Sequence, residues 1–219
     1  SLVAGLIFFF VGLLFELTGS RMSNLTGLYL GVGATFLANL FLLTQVPGIT
    51  RASRLSYITC TKASAIALFI YSMIAFALFV TIRLNISMPR ILQNKDNPYF
   101  MQAESMYMDI LKSALFLAIL MIYTAISFRR YIASLVLIII GLLVYLYINR
   151  IRPVAEFEVS LCRDMQAFAG DRFVPMLLAI SYALLLVGVI AFWLINKMLF
   201  KYEIEPIVYR NAMKRANAQ

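Results

Sequence analysis

GLYLGVGATFLANLFLLTQ, Gly27 to Gln45, decides what kind of protein this chain is. Its nineteen residues carry no charge, and at 1.5 Å per residue they reach about the 30 Å of a bilayer core. Gly27, Gly31, Ala34 and Ala38 recur at i, i+4, i+7 and i+11, so on a helix they form one smooth stripe. Such a stripe lets a second backbone approach closely and reads as a helix-packing seam inside a membrane. Beside it Asn39 carries an amide that hydrocarbon cannot satisfy, so it is expected to face protein, water or a ligand.

The rest of the composition agrees. Of 219 residues 63% are hydrophobic and 13% charged, and the mean hydropathy is +0.88. A soluble domain could not wet such a surface, so an all-α, polytopic integral membrane bundle is expected. The chain has no histidine, which removes the commonest general base and the usual haem and catalytic-metal ligand. Cys60 and Cys162 lie in different polar segments without a CxxC spacing, so two free thiols are the default. Neither an enzyme nor a cofactor is expected. The net charge of +9 is spread among the segments between apolar runs, which marks membrane-flanking anchors and argues against nucleic acid as a partner.

Six apolar runs approach the spanning length: Leu2 to Thr18, Leu25 to Gln45, Ala63 to Arg83, Ile110 to Ser127, Tyr131 to Asn149 and Phe173 to Lys197. They predict about six transmembrane helices in one domain, residues 1–199, with polar connections at 46–62, 84–109 and 150–172. Residues 200–219 form a basic tail at the membrane surface. Only Phe128, Arg129 and Arg130 separate runs four and five, which demands a tight hairpin, because two arginines at mid-membrane are costly. In the third connection Pro89 and Pro98 bracket a polar turn, and an amphipathic approach to span four follows. The stretch from Arg150 to Arg172 mixes four arginines with Glu156, Glu158, Asp164 and Asp171, and is expected to be a salt-bridged extramembrane cap. With both termini cytoplasmic, ten Lys and Arg lie inside, five of them at the C-terminal span boundary and tail, against nine outside. The triplets Asn24 to Thr26 and Asn85 to Ser87 would then lie outside, compatible with glycosylation.

No nucleotide loop, metalloprotease motif or nucleophile elbow is present. Glu16 sits near the end of the first run, and Arg83 and Lys197 mark boundaries, so the spans themselves are expected to hold little buried charge, too little for a proton-coupled carrier. The neutral polar residues Asn39, Tyr123, Thr124, Ser181 and Tyr182 are candidates to line a pathway for an amphiphile or weakly polar solute. The alternative is hydrogen bonding between helices, worth about 1 kcal/mol each. The turn VPGITRASRLSYITCTKAS, with Arg51, Arg54 and Lys62, resembles the membrane subunits of ABC-type exporters, in which a turn after the second helix touches the ATPase. The third connection is longer than in that family. Separately, RIRPVAEF (Arg150 to Phe157) and DRFVPMLLA (Asp171 to Ala179) are similar to stretches of fungal seven-span lipid-translocating exporters, whose histidine and seventh span have no counterpart here.

Two functions are therefore expected. One is a permease-like subunit that moves a lipid, amphiphile or small solute, with a cytoplasmic ATPase as the partner of the basic turn. The other is a non-catalytic assembly subunit of a larger membrane complex, or of a homo-oligomer, packed through the seam and the charged cap.

Overall fold

The computed structural model describes residues 2–18, 30, 33–34, 57–93, 103–127, 136, 140–141 and 152–199, and every one of these segments long enough to classify is helical. Helix α1 is Leu2–Thr18. A π-helical segment, Ile58–Ala63, leads into α2, Ser64–Ile82. A second π turn, Arg83–Ser87, carries α2 into the short α3, Met88–Gln93. Then come α4, Ala103–Ser127, and α5, Arg152–Ala169. A 3-10 turn, Gly170–Arg172, joins α5 to α6, Phe173–Leu199.

Among the described residues, three helical stretches are long and apolar enough to cross a membrane: Thr61–Gln93, Ala103–Ile126 and Glu156–Leu199. These are compatible with an integral membrane protein. In α2 the buried face is Ser64, Ala65, Leu68, Ser72, Ala75, Phe76, Phe79 and Val80, three or four residues apart, while Ile66, Ile70, Ile74 and Leu78 are exposed on the other side. A helix apolar on both faces suits hydrocarbon, not water. Helix α6 repeats the pattern, burying Leu177, Leu185, Val189 and Phe192 and exposing Val187, Ile190 and Leu194. Helix α5 differs: Leu161, Cys162, Met165 and Ala169 pack on the core, and Arg163, Asp164 and Glu156 are exposed.

Contacts between rings and charges give the helix directions. Phe9 meets Tyr71 and Glu16 meets Arg83, so α1 and α2 run parallel. Arg83 meets Asp109 while Met88 and Ile91 pack with Met106, so α2 and α4 run antiparallel. Tyr107 stacks edge-on against Phe173, and Gly188 lies beside Ala118, so α4 and α6 run parallel. That last contact is close. A Cβ built on Gly188 would stand 2.7 Å from the Ala118 Cβ and 2.8 Å from its Cα.

Several boundaries differ from expectation. The third connection is helical at both ends: α2 continues through the π turn and Pro89 to Gln93, and α4 starts at Ala103, two turns before the apolar run. Pro89 cannot donate to a preceding carbonyl, and it is separated by Met88 alone from the wider π turn, where the i to i+4 ladder is already replaced by a bond from the Met88 N–H to the Arg83 carbonyl. The mixed-charge segment is a helix packed along α4, with its ion pairs directed to α4. Of the small-residue stripe only Ala34 is described, fully buried, next to a buried Leu30 whose carbonyl accepts the Tyr71 hydroxyl at 3.2 Å; Gly27, Gly31 and Ala38 lie outside the described residues.

Candidate functional site: a buried charge network at one end of the bundle

Glu16, Arg83 and Asp109 come from three helices and meet where α1 ends, α2 passes into its π turn, and α4 completes its second turn. Arg83 donates from Nε to Glu16 Oε1 at 2.8 Å and from Nη2 to Oε2 at 2.6 Å, a bidentate fork. Its Nη1 donates to Asp109 Oδ2 at 2.5 Å and to the Met106 carbonyl at 3.3 Å. The guanidinium also lies 4.6 Å from the centre of the Phe79 ring. The side chains of Arg83 and Glu16 are fully buried, and that of Asp109 is 5% exposed.

The π turn makes this convergence possible. Ser87 donates to the Glu16 carbonyl at 2.8 Å, and Arg90 to the Leu17 carbonyl at 2.9 Å. The last carbonyls of a helix have no partner within it and carry the negative end of its dipole. Side chains from the π turn and α3 therefore cap α1 and bring positive charge to that end. Asn85 is exposed, but its amide donates to the Thr81 carbonyl at 2.9 Å and Ser87 is buried, so both polar residues of that triplet are engaged in the fold.

Two carboxylates facing one guanidinium leave one formal negative charge in the network. Lys112 is the next cation. Its Nζ stands 2.9 Å from Glu158 Oε2 on α5 and 4.0 Å from Asp109 Oδ1. Arg163 of α5 also reaches Glu104 of α4 at 3.5 Å. Among the described residues no group of three or more His, Cys, Asp and Glu could hold a metal ion. The chemistry open to this site is charge pairing: forming, breaking or exchanging ion pairs between helices.

The network corrects the expectation of little buried charge. Glu16, Arg83 and Asp109 looked like boundary or approach residues because α2 and α4 extend beyond their apolar runs, and that extension encloses them. One signal pointed to it: the six-span arrangement expected from the apolar runs would put all three at the same end, with opposite charges.

The other candidates lie elsewhere. Thr124 and Ser181 are buried, and each donates to a carbonyl one turn back on its own helix, of Leu120 at 2.7 Å and of Leu177 at 2.8 Å. Tyr182 packs edge-on against Phe76, and Tyr123 is half-buried. Asn39, Arg51 and Arg54 lie outside the described residues. Lys62 is exposed on the π segment before α2, at the opposite end of that helix from the charge network. Cys162 is a free, buried thiol. Comparison with known proteins finds no matching family model, no similar curated protein and no similar solved structure.

Proposed function

We propose that the chain is a permease-like membrane subunit for a lipid, amphiphile or small solute, and that the Glu16–Arg83–Asp109 network is the gate at one end of its bundle. The observation that carries this reading is burial. Charged groups within membrane helices are expensive, and where they occur they pair and mark pathways or coupling sites. Here three are sealed where α1, α2 and α4 converge, at one end of the helices. Ion pairs between helices can be remade in a second arrangement, as alternating access requires. Energy would come from a partner or a gradient, and the basic turn at Arg51, Arg54 and Lys62 is the docking surface for a cytoplasmic ATPase.

The proposal includes six spans with both termini cytoplasmic. The parallel directions of α1 and α2, and of α4 and α6, support a return of the chain between the members of each pair. The apolar runs Leu25 to Gln45 and Tyr131 to Asn149 are long enough for those returns. The network then sits at the non-cytoplasmic end.

The test needs no substrate. Ser72 on α2 and Ser181 on α6 are fully buried. In proteoliposomes, on a Cys60→Ser, Cys162→Ser background, Ser72→Cys and Ser181→Cys should resist an impermeant maleimide and react from the network side once Arg83→Gln is added. Unchanged protection in a correctly inserted Arg83→Gln protein would refute the gate. It would favour the assembly-subunit alternative, which the locally satisfied hydroxyls of Thr124 and Ser181 support.

A further inference from the structure

We propose that helix α5 sets the tightness of the buried network by competing with Asp109 for Lys112. Exposure increases from the sealed pair outward: the side chains of Glu16 and Arg83 are at 0% and Asp109 at 5%, while Lys112 and Glu158, which follow along the chain of charges, are at 33% and 23%. Lys112 is therefore the joint between a sealed site and a surface helix. Its ammonium is closer to Glu158 than to Asp109, 2.9 Å against 4.0 Å.

The two oxygens of Asp109 are divided. Oδ2 takes Arg83, and Oδ1 faces Lys112, so both cations can act on this carboxylate at once. A lysine moved fully onto Asp109 would cancel the one negative charge left over in the network and tighten it. A lysine held by Glu158 leaves two carboxylates to one guanidinium. Docked α5 thus keeps the network loose, and whatever draws α5 off α4 locks it. Apart from these pairs α5 holds to the bundle through the narrow apolar stripe of Leu161, Cys162, Met165 and Ala169, which makes it the element suited to move.

The value of this device to transport rests on the gate proposed above, but its test does not. Amide hydrogen exchange of the full chain in lipid nanodiscs would follow residues 9–18 and 83–93. Glu158→Gln, which touches none of the three network residues, should slow exchange there by about tenfold, equivalent to about 1.4 kcal/mol. Lys112→Met should speed it by a similar factor, and the double variant should behave like Lys112→Met. If Glu158 only fastens α5 to α4, Glu158→Gln would leave exchange in these segments unchanged or faster, and either result overturns the proposal. A double variant that still slows exchange also overturns it. Should the signs hold while Arg83→Gln fails to open the core to maleimide, the device stands and the gate falls.

Discussion

Gly188 should tolerate no side chain, and the size of the effect follows from its contact with Ala118. Carbon atoms in good contact stand about 3.5–4.0 Å apart. A methyl at Gly188 would sit 2.7 Å from the Ala118 Cβ, and since both atoms are fixed to backbone, α4 and α6 would have to separate by about 1 Å. A radial gap of that size forfeits roughly a quarter to a half of each neighbouring dispersion contact. The neighbours are Ala114, Leu117 and Met121 on α4 and Leu185 and Phe192 on α6, all essentially buried. Overpacking of this kind costs about 1–3 kcal/mol, only partly offset by the ~1 kcal/mol that alanine gains over glycine in a helix. At about 2–4 °C per kcal/mol for a chain of this size, Gly188→Ala should lose several degrees of Tm and Gly188→Leu more. The assay is thermal unfolding in one mild detergent, with Gly141→Ala as control, because a Cβ there meets nothing within 4 Å. Adding Ala118→Gly should rescue Gly188→Ala in part, since the new methyl would still face the residue 118 Cα at 2.8 Å. A Gly188→Leu protein with parental Tm and expression would refute the close contact.

Gly170 has φ +53°, a left-handed conformation that costs other residues about 1–2 kcal/mol, so Gly170→Ala should lower Tm and Gly170→Asn lower it less, measured in the same detergent. Arg83→Gln should destabilise by about 3–5 kcal/mol by leaving buried carboxylates unpaired, whereas the triple variant Glu16→Leu, Arg83→Met, Asp109→Leu should regain most of that loss; a triple variant no more stable than Arg83→Gln would contradict this account of the network. Arg163→Glu, at a pair whose arginine side chain is 68% exposed, should shift Tm by no more than about 1 kcal/mol allows. On a background without native thiols, Cys60→Ser with Cys162→Ser, Lys62→Cys and Phe168→Cys should react with impermeant maleimide from opposite sides, and reaction from one side would sink the antiparallel arrangement of α2 and α6.

Apolar length was legible in the sequence; partnership was not. The runs Leu2 to Thr18 and Phe173 to Lys197 mark α1 and α6 almost to the residue, because a helix end in a membrane coincides with the end of hydrophobicity. That coincidence fails for α4. Its first two turns, with Glu104 and Asp109 among Met106, Tyr107 and Met108, look like a surface segment until Arg83 and Lys112 supply partners. Arg83 and Glu16 are 67 residues apart, so only the parallel packing of α1 and α2 could reveal their fork. Helix α5 carries a stripe in Leu161, Met165 and Ala169, but the density of charge around it pointed only to a salt-bridged cap, not to packing along α4. Gly188 stood in no stripe of small residues, since its counterpart, Ala118, lies on another helix.

The bundle is joined in two different ways, and the difference has a mechanical consequence. Helices α4 and α6 meet backbone to backbone at Gly188 and Ala118 and ring to ring at Tyr107 and Phe173, contacts of short range that any separation destroys. The end of α1 is held to α2 and α4 by charge and by capping of its carbonyls, through Arg83, Ser87 and Arg90. Coulomb attraction declines slowly with distance, and a long arginine side chain can follow a moving partner, so such a joint can lengthen and re-form. Packed backbones have no comparable intermediate. Any conformational change that keeps the bundle folded should therefore move α1 against α2 and α4 at the charged end, with α4 and α6 travelling as one body. That places the movable helix on the same side of the molecule as the network, and it makes Lys112, fixed on α4 and shared with α5, the group through which a change at the surface reaches α1.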